Sequence, residues 1–94
     1  MRVTGVIWLR SIVEKLVQKH QVSQTEVEEV LEGRPRIRRI ERGDVAGEDM
    51  YTALGQTYGG CYLTVFFIHK GNGEALIISA RDMSVRERKS YGKK

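Results

Sequence analysis

Met50-Tyr-Thr-Ala-Leu-Gly-Gln-Thr57 and Cys61-Tyr-Leu-Thr-Val-Phe-Phe-Ile-His69 are separated by Tyr58-Gly-Gly60, and Lys70-Gly-Asn-Gly73 then leads into Glu74-Ala-Leu-Ile-Ile-Ser-Ala80. Three runs rich in β-branched and aromatic residues alternate with two glycine-rich breaks, and this alternation decides the fold. Glycine and asparagine accept the positive φ of a tight hairpin, so the runs read as an antiparallel meander. Cys61 to Ile68 is almost wholly apolar, as expected of a central strand covered on both faces.

Upstream, Arg36 to Ile40 reads as a strand whose charges suit a sheet edge. Ahead of it Ser23 and Glu26 form a capping box, each side chain satisfying a backbone N–H left open by a first helical turn. Val22 and Val27 sit where a hydrophobic staple would join them. Gly33 offers a left-handed stop and Pro35 forbids continuation, so a helix is expected over 24–32 with Val27, Val30 and Leu31 inward. Ile12, Val13, Leu16 and Val17 fall at helical spacing and predict an earlier helix over 11–19 with one buried stripe. Residues 6–9 read as a short strand. Ser84 and Glu87 repeat the capping box and open a short helix to about Tyr91. The expected fold is therefore α+β, a small antiparallel meander packed against two N-terminal helices with a short C-terminal helix.

The chain of 94 residues suits one domain, residues 1–94, with a single thin core. Its longest apolar run, Val65 to Ile68, is far short of the ~20 residues that span a membrane. The start, Met1-Arg2-Val3-Thr4-Gly5-Val6, has no apolar core or cleavage site of a signal peptide, which predicts a cytoplasmic protein. Cys61 is the one cysteine and has only His20 and His69 beside it, so neither a disulfide nor a structural zinc is expected. Cys61, Met50 and Met83 read as packing residues.

Sixteen Lys and Arg against twelve Asp and Glu give a net charge of +4. Glu26, Glu28, Glu29 and Glu32 make an acidic block, most simply a solvated face. Two basic blocks follow: five arginines over 34–42, and Arg81, Arg86, Arg88, Lys89, Lys93 and Lys94 over 81–94. Each alone reads as a solvated face; two in so small a domain also fit an anion-binding surface.

Trp8, Lys19-His20, Val22, Ala53-Leu54-Gly55, Ile78-Ser79-Ala80-Arg81, and Glu87-Arg88 with Tyr91 together form a pattern that resembles the BrnT toxins of the RelE/ParE-like superfamily. The likeness runs from Trp8 to Tyr91. It implies a RelE-like fold and an RNA-cleaving toxin of a bacterial type II toxin–antitoxin pair, without metal or organic cofactor. It also implies an antitoxin partner, DNA-binding and of the ribbon-helix-helix type, through which alone the toxin meets DNA. Four positions depart from the pattern: Leu9 replaces Asp, Ile12 and Leu16 replace Lys and Asn, and Gln21 replaces Gly. The three aliphatic residues mark either a lost support of the active site, a deeper hydrophobic seam or an extra interface.

Cleaving RNA without a metal requires a base for the 2′-OH proton, a cation for the phosphorane and an acid for the leaving 5′ oxygen. His20 is a candidate because imidazole titrates near neutrality. Lys19 and His20 equally suit a helix C-terminus, where cations meet the dipole. Arg81 ends a strand just before a capped helix, and its planar fork suits a phosphate or an ion pair with Asp82, Glu87 or a helix-two glutamate. Arg86, Arg88 and Lys89 read as RNA-binding charges. Tyr91 either positions a base or docks the terminal helix, and Glu87 reads as a cap.

The function expected is thus a metal-independent endoribonuclease toxin acting on mRNA, with His20, Lys19, Arg81 and Tyr91 as candidate catalytic residues. Two other readings stay open. One is a degenerate toxin that binds its antitoxin and nucleic acid without turnover; the other is a gyrase-directed toxin of the ParE branch.

Overall fold

Strand alternation sends the residues of each strand to opposite sides of a sheet, and the pairing register shows which residues share a side. The structure, a computed structural model, describes residues 1–43 and 48–92. It contains β1 (Gly5–Ile7), α1 (Arg10–Lys15), a π-helical turn (Leu16–His20), α2 (Gln24–Glu32), β2 (Arg36–Glu41), β3 (Met50–Gln56), β4 (Tyr62–His69), β5 (Glu74–Asp82) and α3 (Val85–Gly92). The five strands form one sheet in the order β1-β5-β4-β3-β2. The α+β expectation holds, and β2 to β5 pair antiparallel in sequence order. β1 is different: it joins β5 in parallel, Gly5 opposite Glu74 and Ile7 opposite Leu76.

The register divides the sheet into two unlike faces. Ile37, Ala53, Val65 and Ala80 lie opposite one another across β2 to β5, and the last three are fully buried. α2 packs on this face against β3 and β4, while α1 and the π turn pack against β5. Leu16, Val22, Val27 and Val30 complete the core from the helical side. Gly55 permits the close approach of α2, since a Cβ there would lie 2.7 Å from Val30 Cγ1. In β5 an extra residue opposite Phe66–Phe67 resets the alternation, so that Ile77 and Ala80 both point inward despite lying an odd number of residues apart.

Local signals translate directly. Ser23 and Glu26 make the expected box, Glu26 N–H donating to Ser23 Oγ at 3.2 Å and Ser23 N–H to Glu26 Oε1 at 3.0 Å. Gly60 and Gly73 carry the positive φ of the two hairpins, +95° and +93°. α3 starts at its own box, with Ser84 N–H donating to Glu87 Oε1 at 2.8 Å and Glu87 N–H to Ser84 Oγ at 3.1 Å.

Several expectations need correction. The first helix is α-helical only to Lys15, and its last turn widens to π geometry, which leaves Val17 half exposed at the edge of the stripe. Gly33 is not left-handed, at φ −75° and ψ −146°; its N–H still ends α2 by donating to Glu29 O, and Pro35 bars the helix beyond. Among the described non-glycine residues the left-handed one is Gln21, at φ 55°. β4 is the middle strand, yet Phe66 and Ile68 are only partly covered, because α3 caps just part of the second face. Cys61 is exposed in the turn before β4 rather than packed. The acidic block is not merely solvated: Glu28 accepts from Trp8 Nε1 at 3.0 Å, Glu29 from Tyr58 N–H at 3.0 Å, and Glu26 caps. Lys93 and Lys94 lie outside the described residues. Among the described residues, no helix is long and apolar enough to cross a membrane.

Candidate functional site

Opposite the helical layer the same register lines up Arg36, Leu54, Thr64 and Arg81 in one row and Arg38, Thr52, Phe66 and Ser79 in the next. Strand alternation thus turns the arginines at 36 and 38, two apart on β2, toward one face with Arg81 from β5. α3 lies along this face and adds Arg86 and Arg88. Between β2 and α3 runs an open groove of about 490 Å³, bounded by Arg36, Arg38 and Arg86 and floored by Thr52, Leu54 and Phe66. A second recess of about 780 Å³ continues past Arg36 to Arg34, Gln56, Tyr62, Arg88 and Tyr91.

Among the described residues Glu87 is the one carboxylate lining either recess, and it is fully engaged. Arg81 grips it with both guanidinium nitrogens, Nη1 to Oε1 at 2.6 Å and Nη2 to Oε2 at 3.0 Å. The buried Thr64 hydroxyl donates to Oε1 at 3.0 Å. Arg81's hydrogen bonds, with help from Ser84 N–H and Thr64, bring the Glu87 carboxyl down to about 2 against the opposing effect of burial. Glu87 in turn raises the Arg81 guanidinium above its ordinary value. Arg81 also donates to Asp82 O at 3.0 Å and lies 5.2 Å from the centre of the Phe66 ring. Its direction is therefore fixed from three sides, while its charge is shared with one carboxylate.

The other cations are placed differently. Arg36 donates to Ser90 O at 2.6 Å and ties β2 to α3. Arg88 lies over Tyr62, its Cζ 3.9 Å from the ring centre, and Tyr91 meets the same ring edge-on at 6.0 Å. The Arg38 carbonyl accepts from Thr52 Oγ1 at 3.5 Å, but the guanidinium groups of Arg38 and Arg86 have no hydrogen bond or ion pair with the described residues. Such a strip of guanidinium groups with interleaved rings is suited to a polyanion carrying flat bases.

Residues 10–87 match the family model described as the ribonuclease toxin BrnT of type II toxin–antitoxin systems. The chain belongs to the BrnT family. Its fold is similar to that of the crystal structure of the Brucella abortus ribonuclease toxin BrnT, with a TM-score of 0.61 and 21% identity over 85% of this chain and 96% of that one. No curated protein matches the chain. Membership of a type II toxin family makes an antitoxin protein its partner.

In this BrnT-family chain Arg81, Arg86, Arg88 and Tyr91 lie on the open face; Arg81 lines neither recess itself and meets the first through its contacts to Glu87 and Phe66. Lys89 is exposed on α3. Lys19 and His20 end the π turn in the helical layer and do not line either recess. The sequence marks the arginines of 34–42 as a block, but not that Arg36 and Arg38 face Arg81 across three strand pairings. Gln56 and Phe66 carry no local signal and join the site through register alone. The family departures also find places: Leu9 is the N-cap of α1 with no side-chain cap, Leu16 is buried in the core and Ile12 packs against it. For Ile12 and Leu16 this is the deeper hydrophobic seam.

Proposed function

We propose that this chain is an endoribonuclease toxin that cleaves mRNA without a metal, seating single-stranded RNA in the arginine groove between β2 and α3. The observation that carries the reading is the convergence of Arg36, Arg38, Arg81 and Arg86 on one sheet face around Phe66. In cleavage the 2′ oxygen attacks phosphorus, the bond from phosphorus to the 5′ oxygen breaks, and a 2′,3′-cyclic phosphate remains. The 2′-OH proton goes to a base, and an acid protonates the departing 5′ oxygen.

Arg81 stabilises the phosphorane: it projects from a rigid strand, pre-aimed by Glu87, and keeps N–H groups beyond those given to Glu87 and Asp82. Arg86, Arg88 and Lys89 hold the backbone, and Tyr91 positions a base. Lys19 and His20 handle the proton or the phosphate; this rests on imidazole chemistry, since both end the π turn in the helical layer, across the sheet from the groove. The RelE-like relationship and a ribbon-helix-helix antitoxin that alone contacts DNA belong to the same reading.

The test is cleavage of a defined mRNA by the purified chain in excess EDTA. Arg81→Ala is expected to slow it about a hundredfold or more, the scale of an oxyanion-stabilising donor. His20→Ala is expected to cost a similar factor if it moves a proton. Full cleavage by His20→Ala transfers the proton step to the groove, and full cleavage by Arg81→Ala removes the assignment of Arg81. Binding without turnover by the wild type would identify the degenerate binding module instead.

A further inference from the structure

Stacking in the second recess is already half built. The Arg88 guanidinium sits over Tyr62 with its Cζ 3.9 Å from the ring centre, a stacking distance, and Tyr91 walls the same ring at 6.0 Å. A guanidinium flattened on an aromatic ring offers a planar, polarisable outer side, a surface on which nucleobases stack regardless of identity. Stacking holds a base but does not choose one. Gln56, at the end of β3, supplies the missing selectivity. Its amide nitrogen donates to Gly60 O at 3.2 Å, which orients the group and leaves its carbonyl oxygen as an acceptor on a residue lining the same recess as Arg88. Arg34 and Arg36 bound the same recess and suit the flanking phosphates.

We infer that this recess is a nucleobase subsite: one unstacked base of single-stranded RNA lies on the Arg88 plate and presents its hydrogen-bonding edge to Gln56. Cleavage then carries a sequence preference at one nucleotide position, set by a residue outside the phosphate chemistry. The inference rests on the ribonuclease reading above, and the experiment keeps the two apart.

Binding is measured by fluorescence anisotropy with 2′-O-methyl oligonucleotides of each single base, which resemble RNA but cannot be cleaved through the 2′ oxygen. Cleavage sites are mapped in parallel on an RNA randomised over a short window. Arg88→Lys keeps the charge and removes the plate, and is expected to weaken binding about tenfold. Gln56→Ala is expected to flatten the base preference at one position, whereas Arg38→Ala weakens all four oligonucleotides alike. Both Gln56 and Arg88 are exposed, so the variants fold. Wild-type affinity in Arg88→Lys, or an unchanged preference in Gln56→Ala, overturns the subsite even where RNA is cleaved. A wild type that cleaves nothing removes the ribonuclease reading, and the binding arm still judges the subsite.

Discussion

Glu87 accepts from Ser84, Thr64 and Arg81, joining α3 to β4 and β5 through one carboxylate. Its folded value of about 2 lies below the ordinary 4.5 that it regains on unfolding. A depressed acid stabilises the fold fully above the unfolded value and loses that contribution as pH falls from 4.5 toward 2. The urea midpoints of wild type and Glu87→Gln should therefore converge through that window and stay apart above it. Two departures from the family pattern give further tests. Leu9 occupies the N-cap of α1 without capping it, so Leu9→Asp should restore an acceptor and gain about 1 kcal/mol in urea unfolding. Gln21 holds φ 55°. Gln21→Gly relieves about 1–2 kcal/mol of left-handed strain and costs about 0.4–1 kcal/mol in unfolded-chain entropy, so a net gain of about 0.5 kcal/mol is expected.

Elements whose signals are local were legible: both capping boxes, both hairpins and the extent of α2 follow from neighbours within a few residues. The π turn was not, because it depends on how Leu16 anchors in the core while Gln21 reverses the chain. The extra residue in β5 was likewise invisible, since it reconciles two strands rather than obeying the alternation of one. Gly55 shows the same limit from the other side. Its strand composition argued for β3, but the need for glycine comes from Val30 on α2. Gly55→Ala should lower stability by about 1–3 kcal/mol, read from thermal unfolding, because the buried Val30 has no room to turn away.

At the scale of the molecule, the site was legible as ingredients and not as a place. Arg81, Arg86, Arg88 and Tyr91 stand out in sequence, and the block over 34–42 stands out separately; only pairing across β2 to β5, with α3 laid on that face, makes them one surface. RNA binding there should weaken linearly in log K against log salt, and Arg38→Ala with Arg86→Ala should each make the slope shallower by about 0.7. The parallel seat of β1 has a different consequence. Gly5 pairs with Glu74, so the first described strand waits for the last one. Such long-range pairing folds slowly. Synthesis from the N-terminus makes β5 and Arg81 only after the other four described strands. A chain whose β5 is not yet made has neither its first strand docked nor Arg81 gripping Glu87, and both contacts become possible together.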